Sequence, residues 1–509
     1  MDTRRRDLLR CLAAVVPVGL GGCVFDESGA VDASGGGGAS SGANPLGAGA
    51  AGGTASAGSG STGSGSTSST NAGAPTQTPT SASRAPVPVP PAPSSVTWRT
   101  TPPPASGVPV WAARIAVGSW GYVPESLYLN GAAWRYMQIR YFESGVMRGS
   151  QKGIGAYSGG VLNPIGAYTK DGVWLPGPVY VRWGGGHFAT DCNAVVGLHL
   201  NTDVPQWYIL QEPRAPGLGT PDDASYSADD RYFVDPTTKE PIAQHTYDHC
   251  QFDPASNRMV TPLSIAAGML GRHGAYASAY QFGVAATSGR WQSLAERHST
   301  LSYTPWIQLS FIRPESNTCY FTDYLGTIRR RKLDLISNSV QIISDNCASD
   351  RITGSKEGLT SAFDPGTDIA LYTAEGTDRI YAISSRDFES PGAAPVDVSA
   401  VLTGSGIPAG AASEMNSIVH DPVESCWYYW TNAEPANFRR LSPPSGSYRA
   451  GNWNSALVTP VNSIDALAAD ALGDTQHMYN ALRFVQFGAV RGLLLCRSLA
   501  DPVRFFRLA

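Results

Sequence analysis

Four histidines occupy comparable positions in a repeated pattern of strands and turns, where an imidazole could do chemistry. They are His187, His245, His420 and His477. An imidazole can coordinate a metal ion or hydrogen-bond a polar ligand, and it can equally make a structural hydrogen bond between neighbouring elements. A histidine beside a glycine turn or an Asp-Pro corner favours the structural role, so all four are kept only as ligand-binding candidates. The sequence requires no cofactor, leaves the catalytic residues unknown and defines no metal site.

Two charged segments offer other chemistry. Aspartates in the Asp- and Pro-rich segment 220–240 would suit a hard cation, but the segment lacks the fixed spacing and the glycine of a calcium-binding loop. The run Arg329-Arg330-Arg331-Lys332 would suit a phosphate or an acidic glycan. Both segments are interpreted as solvated surface, which is the usual setting of clustered charge.

The cysteines give no metal pattern. The six cysteines after Cys23 form neither a CxxC pair nor a zinc motif. An oxidising compartment would permit disulfides, with Cys319 and Cys347 as the candidate pair, and buried thiols are the alternative.

A repeated strand-turn-strand unit positions these residues. Six apolar segments each lead into an Asp-Pro or similar turn, at 156–164, 247–254, 307–314, 359–365, 416–422 and 482–487. A second apolar strand follows each turn, so each unit predicts a hairpin. The later units recur about every 50 to 65 residues, which is close to the spacing of four-stranded propeller blades. We therefore predict an all-β chain with a single propeller of six blades, seven being the alternative.

The final unit has too few strands before Ala509 to complete a blade. A strand from the segment 108–140 would complete it, and we select Trp134–Tyr141. That closure would join the two ends of the chain and remove exposed sheet edges.

The stretch Trp183-Gly184-Gly185-Gly186-His187, followed by Asn193 and Trp207, resembles a kelch motif of the kind found in the central domain of galactose oxidase. Segments 283–291 and 446–453 are weaker versions. In such a motif the glycines allow a tight turn with positive φ, and the tryptophan fills the wedge between adjacent blades. The resemblance covers residues 150–509 and implies a kelch-type propeller.

The copper chemistry of galactose oxidase is not carried over with the fold. That family binds copper through two histidines and two tyrosines, one of them cross-linked to a cysteine. Here His245-Thr246-Tyr247 reverses the order of the family's Tyr-His pair, and no cysteine and tyrosine match the cross-linked pair.

The N-terminus resembles the export signal of a bacterial lipoprotein. Arg5-Arg6-Asp7-Leu8-Leu9-Arg10 is similar to a twin-arginine motif, with Leu8 where phenylalanine is usual, so a general secretory route stays open. The apolar run 11–20 is too short to span a bilayer and ends in Leu20-Gly21-Gly22-Cys23, similar to a lipobox. We predict a signal peptide over 1–22 and lipidation of Cys23, the alternative being an ordinary signal followed by an exposed thiol.

Residues 23–97 are predicted to form a disordered tether. They are dominated by Gly, Ser, Ala and Thr and end in a proline-rich stretch, so they bury too little apolar surface to offset the entropy of ordering. The propeller is assigned to residues 98–509.

These features predict a lipid-anchored protein of the bacterial cell envelope, periplasmic or surface-exposed, with a monomeric propeller that binds a carbohydrate at the mouth of its channel. The membrane is the predicted partner through Cys23, and a net charge of −4 gives no reason to expect nucleic acid. A binding module is favoured over an enzyme. The alternatives are an exported sugar-active oxidoreductase or lyase, and a protein-interaction scaffold.

Overall fold

The computed structural model describes the propeller and the residues just before it. The described residues are 91–92, 96, 98, 107–144, 159–183, 192–213, 241, 246, 248–264, 278–286, 290–295, 309–324, 328–345, 347, 360–374, 379–408, 416–465 and 481–509. The signal segment, Cys23 and nearly all of the predicted tether lie outside them. Within the described residues, no helix is long and apolar enough to cross a membrane.

Six antiparallel sheets form the blades, which confirms the predicted all-β, six-bladed fold. Blade one contains β2 (Gly160–Asn163), β5 (Val179–Arg182), β6 (Val195–His199) and β7 (Gln206–Gln211). Blade two contains β8 (Gln251–Asp253), β9 (Arg258–Ser264), β10 (Ser278–Gly283) and β11 (Trp291–Ala295). Blade three contains β12 (Ser310–Arg313), β13 (Thr318–Tyr324), β14 (Ile328–Asp334) and β15 (Ser339–Ser344). A small hairpin, β3 (Gly166–Tyr168) with β4 (Trp174–Pro176), is inserted in blade one.

The remaining blades follow the same plan. Blade four contains β16 (Ser361–Asp364), β17 (Ile369–Ala374), β18 (Arg379–Ser384) and β19 (Val396–Asp397). Blade five contains β21 (Asn416–Asp421), β22 (Cys426–Thr431), β23 (Phe438–Ser442) and β24 (Trp453–Val458), with β20 (Leu402–Gly404) added in parallel to β24. Blade six contains β25 (Leu482–Phe487), β26 (Val490–Leu495) and β27 (Arg504–Arg507).

The ring closes through the first strand of each blade. Strands β2, β8, β12, β16, β21 and β25 contact one another in that order, and β25 contacts β2 again. Their side chains alternate between the two neighbouring blades: Ile418 packs with blade four, whereas Val419 packs with blade six. The cores therefore lie between blades.

The last blade is completed by β1 (Trp120–Tyr122), which pairs with β27. A strand from 108–140 does close the ring, as expected, but the choice of Trp134–Tyr141 is wrong. That segment forms α2 (Ala132–Met137) and a π-helical turn, Gln138–Phe142. Its buried residues follow a helical spacing and cover the core beside Trp207, so burial on one face of a helix determines the outcome.

The described residues also contain short helical elements. They are α1 (Val110–Arg114), α3 (Ser385–Phe388) and the 3₁₀ turns Tyr128–Asn130, Pro314–Ser316 and Ser399–Val401. On the outer edge of blade six, the Asn462 amide accepts from the N–H and donates to the C=O of Trp120, each at 2.8 Å. This side chain occupies the hydrogen-bonding positions that a further strand would use.

Trp207 of the kelch-like stretch is fully buried between blades one and six. Its indole N–H donates to the Ser126 carbonyl at 2.7 Å, and its ring contacts Tyr128 and Tyr180. The glycines at 184–186 lie outside the described residues.

The prediction that Arg329–Lys332 forms a solvated face is wrong for its central residues. Strand β14 is the third of four, and Arg330 and Arg331 are fully buried. The Arg330 guanidinium donates to the carbonyl oxygens of Asp387, Phe388, Ser390 and Ala393, at 2.7 to 3.4 Å. Arg331 pairs with Asp345 at 2.7 Å. Arg330 therefore donates from blade three to blade four, whereas Arg331 donates within blade three.

The candidate disulfide between Cys319 and Cys347 is also absent. All six of the described cysteines are buried thiols rather than half-cystines. Cys319 packs in the core between blades two and three, whereas Cys347 packs in the core between blades three and four. The two side chains therefore lie on opposite sides of one blade.

Candidate functional site

The two faces of the propeller differ in their connections. Each inner strand begins on one face, here called the mouth face, and ends on the other, the far face. Because the strands of a blade are antiparallel, the mouth face also receives every connection from a second strand to a third and from a fourth strand to the next blade. Those connections include the long segments 123–159, 212–250 and 459–481. Long loops on a rigid scaffold commonly carry binding function.

Asp248 is the central polar residue of the mouth face. It lies just before β8 and is fully buried. Its Oδ2 accepts hydrogen bonds from the backbone N–H of Ser361 at 2.6 Å and from the Ser361 hydroxyl at 3.1 Å. Since Asp248 enters with blade two and Ser361 begins blade four, this carboxylate links non-adjacent blades across the top of the channel.

Hydroxyl groups extend this network around the ring. Ser310, the first residue of β12, donates to the Asp248 carbonyl at 3.3 Å and accepts from the Gln251 amide at 2.9 Å. The single proton of the Ser361 hydroxyl is shared between Asp248 Oδ2 and the Ser310 carbonyl, which lies 3.0 Å away. Blades two, three and four are therefore joined at the mouth by side-chain hydrogen bonds.

Arg483 supplies the positive charge from blade six. Its Nη2 lies 4.0 Å from Asp248 Oδ1, and its Nε donates to the Gly160 carbonyl of blade one at 2.9 Å. The side chain keeps 12% of its surface exposed, whereas that of Asp248 is completely buried. Of this pair, Arg483 therefore has the side chain with exposed surface, and the nearby carboxylate balances its charge.

The buried Ser417 hydroxyl, near the mouth end of β21, has no hydrogen-bond partner among the described residues, whereas the Thr246 and Tyr180 hydroxyls donate to the thiols of Cys250 and Cys496. Buried polar groups normally find a partner in protein, water or ligand. Together with Arg483 and Asp248, they make the mouth rich in both donors and acceptors.

The thiols and phenols beneath this network are not activated. Burial raises the pKa of Cys250 to about 11. Burial also raises the pKa of Cys496 and of Tyr180 well above their usual values. At neutral pH these groups stay protonated, so the arrangement suits hydrogen bonding to a ligand better than nucleophilic attack.

The structure locates one of the four candidate histidines. His420 lies near the far-face end of β21, and its Nε2 is 3.4 Å from Asp364 Oδ1 of blade four. Burial lowers the pKa of His420, against an opposing effect of Asp364. His187, His245 and His477 lie outside the described residues, so the structure does not bring the four histidines together or separate them.

One group of potential metal ligands occurs within the described residues, on the far face. Asp421, Glu424 and Cys426 place their ligand atoms within 4.8 Å of one another. Arg491 contacts Asp421 at 3.3 Å, while Arg440 contacts Glu424 at 2.8 Å and donates to the Cys426 sulfur at 3.3 Å. Two arginines already neutralise the acidic groups, so these residues form an ion-pair network between blades five and six.

Sequence reasoning missed Asp248 and Arg483 as site residues. Each is a charged residue beside or within an apolar inner-strand segment, Tyr247–Pro254 and Leu482–Phe487 respectively. That placement could have identified both residues, because a charged side chain in an apolar segment must find a partner when it is buried.

Comparisons with known proteins add little beyond this geometry. No protein-family model and no curated protein matches the chain. Solved structures that resemble it include the allergen Mala s 1 of Malassezia sympodialis, at 12% identity over 69% of this chain and 95% of that one, with a TM-score of 0.38.

Two further solved structures are similar at the same level. An auxiliary nutrient binding protein of Bacteroides ovatus shows 11% identity over 76% of this chain and 75% of its own, with a TM-score of 0.38. An alpha-L-arabinanase of Penicillium chrysogenum shows 9% identity over 68% and 97%, with a TM-score of 0.34. At these values the likeness carries no functional argument, so the function is inferred from the chain's own residues.

Proposed function

We propose that the protein is a bacterial envelope lipoprotein whose propeller binds a carbohydrate at the mouth face. The observation that carries the proposal is the partly exposed Arg483 side chain at the channel mouth, backed by the buried Asp248 carboxylate. Sugar hydroxyls donate and accept hydrogen bonds together, which suits a surface holding a guanidinium, a carboxylate and several hydroxyls. The kelch-like sequence of blade one is compatible with this role but does not determine it.

The anchoring part of the proposal rests on the lipobox-like Leu20-Gly21-Gly22-Cys23. A lipidated Cys23 followed by the Gly- and Ser-rich tether would hold the propeller at a membrane surface while letting its mouth face reach a ligand. The Cys23→Ala variant should lose the membrane fraction that the wild-type protein occupies. Unchanged fractionation would refute the lipid anchor.

The binding role is tested with Arg483→Lys in the full chain. Lysine keeps a positive charge near Asp248 but cannot donate to the Gly160 carbonyl and a ligand hydroxyl in the same fork geometry. We expect the wild-type protein to be retained on a glycan array, and the variant to bind the retained glycan about tenfold more weakly in calorimetry. Its stability should fall by no more than about 1 kcal/mol.

Arg491→Lys is the matched control. Arg491 lies in the same blade, is 15% exposed and pairs with Asp421, but it belongs to the far face. Its substitution should leave glycan affinity unchanged. Failure of the wild-type protein to bind any arrayed glycan, or equal weakening by both substitutions, would contradict carbohydrate binding at the mouth. Turnover of a retained glycan would favour the enzyme alternative.

A further inference from the structure

A cleft lies on the outer flank of blade one, away from the mouth face. It has a volume of about 160 Å³ and runs between the inserted β3–β4 hairpin, strand β7 and Trp98. This size suits one small ring rather than an extended chain.

The wall of the cleft is aromatic and aliphatic. Trp98 stacks with Tyr208 at a centroid distance of 5.9 Å and an interplanar angle of 21°, and it contacts Tyr136 at 5.8 Å. Val173, on the turn of the hairpin, is 39% exposed and lines the same space. Trp98, the first residue after the predicted tether, therefore supplies part of this wall.

Lys170 and Asp171 line one part of the cleft, where their charges offset each other, whereas most of the surface facing the cleft is apolar. The Lys170 ammonium lies 2.7 Å from Asp171 Oδ1 and 3.5 Å from Glu212 Oε1. The Asp171 side chain is 55% exposed, so its carboxylate can accept hydrogen bonds from a ligand as well as from Lys170. Because lysine and aspartate are paired at the rim, the cleft has little preference for an ionic ligand.

The polar rim is held in place from behind. The backbone N–H of Lys170 donates to the Ile209 carbonyl of β7 at 2.9 Å, and its ammonium lies 4.8 Å from the centre of the Tyr136 ring. Glu212 accepts hydrogen bonds from the hydroxyls of Tyr136 and Tyr141. A rim fixed in this way is preorganised, which reduces the entropy lost on binding.

We propose that this flank cleft binds a single neutral pyranose ring. A pyranose presents a face of C–H groups, which matches the Trp98 wall, and an edge of hydroxyls, which matches Lys170 and Asp171. The inference shares its ligand class with the proposed function but concerns a separate site. Arg483 lies on the inner strand of blade six, whereas Trp98 packs on Tyr208 of the outer strand of blade one.

The test uses the full chain and three probes, the methyl β-D-pyranosides of glucose, galactose and mannose, titrated by saturation-transfer NMR. We expect at least one to bind with a dissociation constant of about 1 to 10 mM. Trp98→Ala should weaken that binding about tenfold through loss of the stacking surface, whereas Trp98→Phe should restore most of it. Asp171→Ala, at an exposed position, should weaken it about threefold through loss of a hydrogen-bond acceptor.

The control is Trp174→Ala. Trp174 lies on the same hairpin and is 38% exposed, but it packs on Tyr168 and does not line the cleft. It should leave binding unchanged. Binding of none of the three glycosides below about 50 mM, or unchanged binding in both Trp98→Ala and Asp171→Ala, would overturn the inference. If Arg483→Lys loses binding on the glycan array and Trp98→Ala does not, the proposed function at the mouth face is supported without the flank site. If Trp98→Ala weakens glycoside binding and Arg483→Lys does not, only the flank site is supported.

Discussion

The far face and the mouth face of the propeller use polar residues in different ways. On the far face, the last residue of four inner strands is a buried Asn or Asp whose side chain accepts hydrogen bonds from the backbone of the turn that follows. These residues are Asn163, Asp253, Asp364 and Asp421. On the mouth face, the side chains of Asp248 and Arg483 bond to other blades, Asp248 to Ser361 and Arg483 to Gly160, residues far away in sequence.

The contrast distinguishes polar side chains that stabilise the fold from polar side chains that could bind a ligand. Far-face carboxylates are used by neighbouring backbone and by inter-blade partners such as His420 and Arg491. Mouth-face groups include the Ser417 hydroxyl, which lacks a partner among the described residues. Substitutions remote from the mouth should therefore reduce the free energy of unfolding and leave glycan affinity unchanged. Arg483→Lys should weaken glycan binding and change the free energy of unfolding little.

The largest effect is expected for Arg330→Ala, between blades three and four. Removing the guanidinium leaves several buried carbonyls without their donor, and we expect a loss of about 4 kcal/mol in the free energy of unfolding, measured in urea. Lys332→Ala, on the same strand but 28% exposed, should cost less than about 1 kcal/mol. If Arg330→Ala abolishes glycan binding while the protein stays folded, the separation of roles fails.

An intermediate effect is expected from His199, at the far-face end of β6. Burial lowers its pKa from the usual 6.5 to about 4, and its Nε2 lies 3.0 Å from the Pro176 carbonyl. Between these pH values the unfolded chain binds a proton that the folded chain does not. Stability should therefore fall as the pH decreases from 6.5 to 4, by about 3 kcal/mol in total.

His199→Gln keeps a side-chain donor for Pro176 but removes the titration. Thermal unfolding of this variant should depend less on pH over the same interval than that of the wild-type protein. Equal slopes for the two proteins would show that His199 does not cause the acid sensitivity.

The smallest effect is expected for Asp364→Ala on the far face. Asp364 accepts from the Gly366 N–H at 2.8 Å and from the Thr367 hydroxyl at 2.7 Å. Its loss should cost about 1 to 2 kcal/mol in urea unfolding, with glycan affinity unchanged. Asp364→Asn, which keeps one acceptor for the turn, should cost less. A glycan affinity that falls with Asp364→Ala would place part of the ligand site on the wrong face for our proposal.

Some features of the fold follow from local sequence. The Asp-Pro corners predicted the first hairpin of the blades, because an aspartate before proline both initiates a turn and caps it. The repeat spacing predicted six blades. By contrast, Trp134–Tyr141 reads as apolar enough for a strand, and only its packing against Trp207 and β7 makes it helical.

The sequence by itself predicted the repeated hairpins and their spacing, since these depend on residues close together in the chain, and it favoured six blades over seven and closure by an N-terminal strand. Only the tertiary structure decided that β1 closes the ring, that Arg330 is buried and that Asp248 meets Ser361. Each of these contacts joins residues far apart in sequence, and a charged side chain gives no local sign of whether its partner will be water or a distant blade.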